Sequence, residues 1–331
     1  MIVSRTPLRI SFLGGGTDFR DFYQSGFGQV ISCTINRYIY ISLNKITDFQ
    51  GSVLKYAILE RVDDINKISH PIIKQVMLEQ KLDQIDLSVS SDIPAGTGLG
   101  SSSAFTVGLL HGFHTYSNKS TSKMELAKEA CRIEIEELGQ PIGKQDAYAC
   151  ANGGLNVIKF SADEAVDVSP IRISLQDRLN LENSMVLIRV GNTRSASNML
   201  SRANSNKISQ LSNIKLLGEM LDLVKTFEES FGTDLVRLGN ALTESWALKK
   251  AVFPQASNEE IDDVVMRGLR AGALGAKLLG AGGSGFVLFL VPPDLRSMFL
   301  EHFPGRNNQT VSIESSGTSA LDLSQNFGHF G

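Results

Sequence analysis

Residues 94–104, Pro-Ala-Gly-Thr-Gly-Leu-Gly-Ser-Ser-Ser-Ala, join an alternating apolar–polar segment to an apolar, helix-like one. Ile85, Leu87 and Val89 share one face of an expected strand over 85–90, and a helix is expected from 104 to about 116. Gly96, Gly98 and Gly100 let the backbone curl tightly and turn N–H groups inward. Ser101, Ser102 and Ser103 then open the helix, where unpaired N–H groups and the positive end of the helix dipole favour a phosphate. Pro94, Gly96, Thr97, Gly98, Leu99, Gly100 and the three serines are therefore candidate phosphate-binding residues. The loop lacks the Gly-Lys-Ser/Thr ending of a Walker A motif, and Ser101 stands where a dinucleotide fingerprint needs its third glycine. The plainer alternative is a flexible turn with a serine cap.

Two further glycine-rich segments flank this one. Residues 5–18 carry Arg9 on an expected strand, 8–13, which leads into Gly14, Gly15, Gly16, Thr17 and Asp18. An aspartate beyond such a turn is placed to accept hydrogen bonds from hydroxyls, although alone it reads as a solvated surface turn. Residues 277–286 hold four glycines in six positions, 280–285, before the apolar strand expected at 286–291. That pattern indicates a backbone surface pressed against a ligand or another loop.

Between and beyond them, strands are expected at 30–43, 155–160 and 185–190, and helices at about 206–230, 233–251 and 258–270. Ser122 and Glu125 form a capping box opening a helix that ends near Gly139-Gln-Pro141. Residues 161–183 read as polar and irregular, and the last fifteen residues receive no assignment. A chain of 331 residues favours two domains, divided as 1–180 and 181–331. The net charge of −3 gives no reason to expect a nucleic-acid or membrane partner. Cys33, Cys131 and Cys150 are odd in number and unclustered, the pattern of free thiols in a reducing compartment, so a cytoplasmic protein is expected. A homodimer is compatible with the sequence, which fixes no oligomeric state.

Taken in order, the three glycine segments resemble the GHMP kinase superfamily of galacto-, homoserine, mevalonate and phosphomevalonate kinases. Within it the chain looks most similar to the bacterial D-glycero-D-manno-heptose 7-phosphate kinases. That likeness rests on Leu13-Gly-Gly-Gly-Thr-Asp18, Pro141-Ile-Gly-Lys-Gln-Asp146 and Ala271-Gly-Ala-Leu-Gly-Ala-Lys-Leu-Leu-Gly280, with support from residues 192–197 and 246–250. The resemblance implies an α+β, two-domain GHMP kinase fold: an N-terminal ATP-binding domain like the second domain of ribosomal protein S5, then a ferredoxin-like C-terminal domain, with the active site between them.

The resemblance also implies roles. Residues 96–103 would wrap the phosphates of ATP, and Ser102 would bind Mg²⁺. Asp146 matches the catalytic aspartate, with Arg9 and Lys144 as cations beside it. Asp18, with Gly15, Gly16 and Thr17, matches the sugar-binding turn, and Gly282 and Gly283 belong to a loop supporting the cleft. The family's acidic magnesium ligand precedes the catalytic aspartate, where Glu134, Glu136 and Glu137 compete. At 100° per residue only Glu134 falls at the margin of the apolar face, so Glu134 is the expected ligand. Two positions depart from the usual family pattern: Ala147 stands where relatives have Gln, and Ser284 where they have Gly. The Ala147 change is expected to alter contacts around the acceptor.

For the heptose branch the resemblance implies phosphorylation of the anomeric C1 hydroxyl, giving a 1,7-bisphosphate for nucleotide-activated heptose synthesis. The distal phosphate of such an acceptor needs cations, for which Arg194, Arg202, Lys249 and Lys250 are candidates, Arg194 foremost. The alternatives are a kinase for another sugar (fucose, galactose or mannose) and an inactive sensor of sugar and ATP.

Overall fold

The computed structural model describes residues 1–47, 50–191, 211–228 and 231–326. Its first sheet is built around β2, Phe27–Lys45, a strand long enough to serve three neighbours. β1, Ile2–Leu13, pairs antiparallel along one edge of β2. On the other edge, the first half of β2 pairs with β6, Leu155–Ser161, and the second half with β5, Ile85–Ser91. The hairpin β3–β4, Ser52–Lys55 and Leu59–Val62, extends β5, and β7, Val166–Pro170, extends β6. Ile39, Ile41 and Leu43 are buried with Ile85 and Leu87 in the core that this sheet shares with the helix Ser101–Tyr116. A Cβ on Gly108 would lie 2.7 Å from Thr6 Oγ1, so glycine there lets the helix lie close against β1. This packing sets the phosphate-loop candidate beside Arg9.

The second sheet is antiparallel, in the order β11 (Asn308–Gln309), β8 (Met185–Val190), β10 (Gly285–Leu290), β9 (Gly275–Leu278). The helices Leu235–Val252 and Glu259–Arg270 pack against it, with Trp246, Ile261, Val264 and Phe289 in a separate apolar core. No helix among the described residues is long and apolar enough to cross a membrane.

Differences from the sequence expectations have local causes. The segment expected to be irregular contains β7 and the helix Leu175–Ser184. Leu175 and Leu179 of that helix are exposed and only Leu181 and Ser184 are buried, so it lacks an apolar stripe. The 180/181 division falls inside this helix. The tail without an assignment supplies β12, Ser319–Asp322, which crosses back to pair with β1. Thr318 and Thr6 join their hydroxyls at 2.8 Å beside it. The capping box is present, with Ser122 accepting from the Glu125 N–H and Glu125 from the Ser122 N–H. The helix it opens becomes a π-helix over Arg132–Glu137. All three cysteines are buried and free.

Candidate active site

β5 feeds residues 92–100, and the glycine loop ends in the helix Ser101–Tyr116, which Gly100 caps with φ of 74°. Gly96 and Gly98 also adopt positive φ, 74° and 79°, a backbone that disfavours side chains. Thr97 Oγ1 donates to the Pro94 carbonyl at 3.0 Å, and Leu99 is fully buried. Ser101 Oγ accepts from the Gly96 N–H at 3.4 Å. Across the turn, Gly98 packs on the Leu279 carbonyl and Gly280 packs on Gly98. The third glycine segment therefore presses against the first loop. A Cβ on Gly285 would lie 2.6 Å from the Thr97 carbonyl oxygen.

Arg9 enters from β1 and is almost completely buried. Its Nε and Nη2 donate to Asp146 Oδ1 and Oδ2, both at 2.7 Å, and its Nη1 donates to the Gly98 carbonyl at 2.6 Å. Burial lowers the guanidinium pKa, but Asp146, together with Cys150 and Asp18, outweighs it and the net shift is upward. Asp146 sits in the first turn of the helix Gln145–Asn152 and remains partly open. One guanidinium thus ties this carboxylate to the glycine loop.

Beside the pair lies a cavity of about 140 Å³, into which Asp18, Ser11, Gly15, Gly16 and Gln145 bring polar groups and Phe19, Ile142 and Phe253 apolar ones. Asp18 is 1% exposed and accepts from the Gly16 N–H at 3.0 Å and from the backbone and side-chain N–H groups of Gln145 at 3.2 Å. Burial pushes its carboxyl pKa up against these bonds. Gly143 permits the approach, because a Cβ there would overlap Asp18 Oδ2. Ser11 Oγ and Gln145 Oε1 are buried without partners among the described residues, so both are left for a ligand in a cavity that already mixes polar and apolar walls.

The π-helix turns Glu134 completely inward while Glu136 and Glu137 stay exposed. Glu134 Oε1 accepts from Ser102 Oγ at 2.6 Å, and its Oε2 is buried with no partner among the described residues. Burial pushes this carboxyl pKa up to about 7, although the Ser102 bond opposes the shift. A buried carboxylate with a vacant oxygen and a hydroxyl neighbour fits a hard divalent cation that keeps waters or phosphate oxygens as its other ligands. No cluster of three or more His, Cys, Asp or Glu among the described residues offers an all-protein metal site.

The sequence matches the model of the GHMP kinases N terminal domain over residues 66–154 and that of the GHMP kinases C terminal over 220–297. It is 33% identical to the D-glycero-alpha-D-manno-heptose 7-phosphate kinase of Campylobacter jejuni, covering 88% of this chain and 90% of that protein. The chain belongs to the GHMP kinases. A galactokinase of Thermotoga petrophila is 27% identical, covering 94% of this chain and 97% of the relative. The crystal structure of a D-glycero-D-manno-heptose 1-phosphate kinase from Bacteroides thetaiotaomicron shares the fold, with TM-score 0.78, 23% identity and coverage of 98% and 99%. This GHMP kinase is a sugar kinase, a phosphotransferase with an alcohol group as acceptor.

Several expected residues lie elsewhere in the kinase. Lys144 was expected beside Asp146, but its ammonium pairs with Glu164 and lies 5.0 Å from the Tyr23 ring centroid. Glu164 also holds Arg20 at 3.0 Å, so that acidic group outside the cavity claims the lysine. Thr17 was expected to bind substrate, yet it is fully buried and its hydroxyl serves the Gly14 and Gln29 backbones. Gly282 and Gly283 pack against Ala256, and their neighbours Gly280 and Ala281 line the cavity instead. Ala147 is buried in the first core and is not among the residues lining the cavity. Lys250 pairs with Asp262 at 2.9 Å, away from the site. Arg194 and Arg202 lie outside the described residues.

Residues that sequence reasoning passed over include Ser11, Gln145, Phe19, Phe253 and Lys277. Lys277 did leave a signal, as the one charged residue in the wholly buried strand Gly275–Leu278.

Proposed function

We propose that this GHMP kinase transfers the γ-phosphoryl group of ATP to the anomeric C1 hydroxyl of D-glycero-D-manno-heptose 7-phosphate, giving the 1,7-bisphosphate. The observation that carries the reading is Arg9, which bonds Asp146 and the Gly98 carbonyl at once. The carboxylate thereby stands where the cavity meets the loop that would hold the donor phosphates. The 33% identity to a heptose 7-phosphate kinase supports the choice of acceptor.

In this reading the sugar hydroxyls are held by Asp18, Gln145 Oε1 and Ser11 Oγ. Loop N–H groups and the N-terminus of the helix Ser101–Tyr116 hold the ATP phosphates. The C1 oxygen attacks the γ-phosphorus, the bond to the β–γ bridging oxygen breaks, and ADP leaves with that electron pair. Asp146 accepts the hydroxyl proton. Ser102 and Glu134 would hold a magnesium ion, which would supply positive charge against the phosphate oxygens.

The test is coupled ADP release with Mg-ATP against heptose 7-phosphate, free heptose, mannose, fucose and galactose. A preference for heptose 7-phosphate is expected. Turnover of a free sugar in its place would replace the acceptor and keep the kinase. Silence on every sugar, with ATP still bound, would favour a sensor of sugar and nucleotide.

A further inference from the structure

The cavity contains two ammonium groups that the phosphate loop, Asp146 and Asp18 leave unaccounted for. Lys249, in the last turn of the helix Leu235–Val252, donates to the Gly280 carbonyl. Lys277, on β9 and only 3% exposed, donates to the Phe12 carbonyl at 2.7 Å. Both line the cavity with Arg9, Asp18 and Asp146. Among the described residues neither lysine is paired with a carboxylate. Asp146 is already engaged by Arg9, and Asp18 by the N–H groups of Gly16 and Gln145.

A buried ammonium, Lys277, and a half-buried one, Lys249, whose hydrogen bonds among the described residues go to neutral carbonyls, are costly unless an anion arrives. Their surroundings register the strain. Burial, and then Arg9, lower the Lys249 pKa to about 8, and burial with Lys249 and Arg9 lowers that of Lys277 well below its usual value. The position identifies the anion. The Gly280 carbonyl that Lys249 holds belongs to the residue packed on Gly98, whose own carbonyl Arg9 holds. Lys249 therefore stands at the seam between the acceptor cavity and the glycine loop, with Lys277 on the same cavity wall.

We propose that Lys249 and Lys277 form a receptor for one phosphoryl dianion at this seam. Two lysine charges match such a group, and each keeps N–H donors beyond its carbonyl bond. The dianion has two sources, the transferred phosphoryl of ATP or a phosphate carried by the acceptor. The inference rests on the kinase reading above, but its first test does not need the right sugar.

Trp246 is the single tryptophan of the chain, and its ring centroid is 5.9 Å from Lys249 Nζ. Its emission therefore reports on the seam. Titrating the full chain with inorganic phosphate should give a saturable emission change. Lys249→Met and Lys277→Met should each weaken it by about tenfold, Lys249→Arg should restore part of it, and Lys250→Met should leave the affinity unchanged. Circular dichroism checks that each variant folds. Phosphate affinity equal in wild type and both Met variants, or no saturable response in wild type, would overturn the receptor.

Steady-state kinetics then separate the sources. A fall in kcat with every acceptor assigns the transferred phosphoryl. A rise in KM confined to phosphorylated acceptors assigns the acceptor's phosphate. If wild type turns over no sugar, the acceptor assignment fails while the phosphate titration still decides the receptor.

Discussion

Gly98 and Gly280 lie backbone against backbone, so close that a Cβ on Gly280 would overlap Gly98 Cα. One belongs to the loop after β5 of the first sheet and the other to the loop between β9 and β10 of the second. Both have positive φ, 79° and 74°. Gly280→Ala should therefore cost about 2–4 kcal/mol, read as a lower urea midpoint, and weaken ATP binding by opening the loop. A neutral substitution would show that the two loops are not locked together.

Asp18 owes its place to Gly143, where any Cβ would overlap its Oδ2. Gly143→Ala should raise the acceptor KM about tenfold and leave the ATP KM unchanged. Steady-state kinetics with each substrate varied in turn would check the split, and a shift in the ATP KM alone would remove Asp18 from the acceptor side.

Asp146→Asn keeps the shape of the residue and removes the proton acceptor. Turnover should fall about 10²–10⁴-fold with ATP affinity retained. The variant should also lose stability, because the buried Arg9 would face a neutral partner. Near-normal turnover would exclude Asp146 as the residue that receives the proton.

Glu134 Oε2 is buried without a partner among the described residues, next to Ser102. Glu134→Gln should abolish the extra thermal stabilisation that Mg²⁺ adds to nucleotide binding and lower kcat about 10²-fold. A calorimetric scan with ADP, with and without Mg²⁺, reads the first effect independently of activity. Unchanged Mg²⁺ dependence would place the ion elsewhere.

Lys249 gives a pH signature of known sign. Its pKa falls from the ordinary 10.5 to about 8 on folding, through burial and Arg9, while Asp146 and Asp18 pull the other way. Its contribution to stability is thus fully present above 10.5 and lost as the pH falls through about 8. Between those values the ligand-free protein should become more stable relative to Lys249→Met as the pH rises. Phosphate binding should weaken over the same interval, since the anion needs the charged form. Lys277, Arg9, Asp18 and Asp146 face the same cavity, so the comparison with Lys249→Met reads Lys249 together with its effect on Lys277, whose pKa it lowers. Parallel pH profiles in the two proteins would refute the assignment.

Local patterns carried much of this fold into view. Alternation marked β5, because residues two apart in a strand share a face and one face is buried, and β-branched residues marked β2. The Ser122–Glu125 box marked a helix start because both groups act within one turn. Angular position singled out Glu134 from two nearby glutamates, since a helix fixes which side a residue faces even where it widens into a π-turn. The order of the three glycine segments, with Arg9, Asp18 and Asp146 beside them, pointed to the candidate site.

What the sequence could not decide were partners far apart in the chain. Arg9 and Asp146 are separated by 137 positions, and Lys144, only two residues from Asp146, is drawn to Glu164 instead. Sequence distance ranked the nearer lysine with the arginine as a neighbour of the aspartate. In the fold, side-chain direction and a competing carboxylate chose between them. The same holds for Gly143 beneath Asp18, Lys277 in the cavity wall and β12 against β1. Motifs and periodicity are local properties of the backbone, so the chain alone determined its segments and their chemical kinds. Which charges meet in a low-dielectric cavity depends on how two sheets pack, and only the tertiary structure settles that.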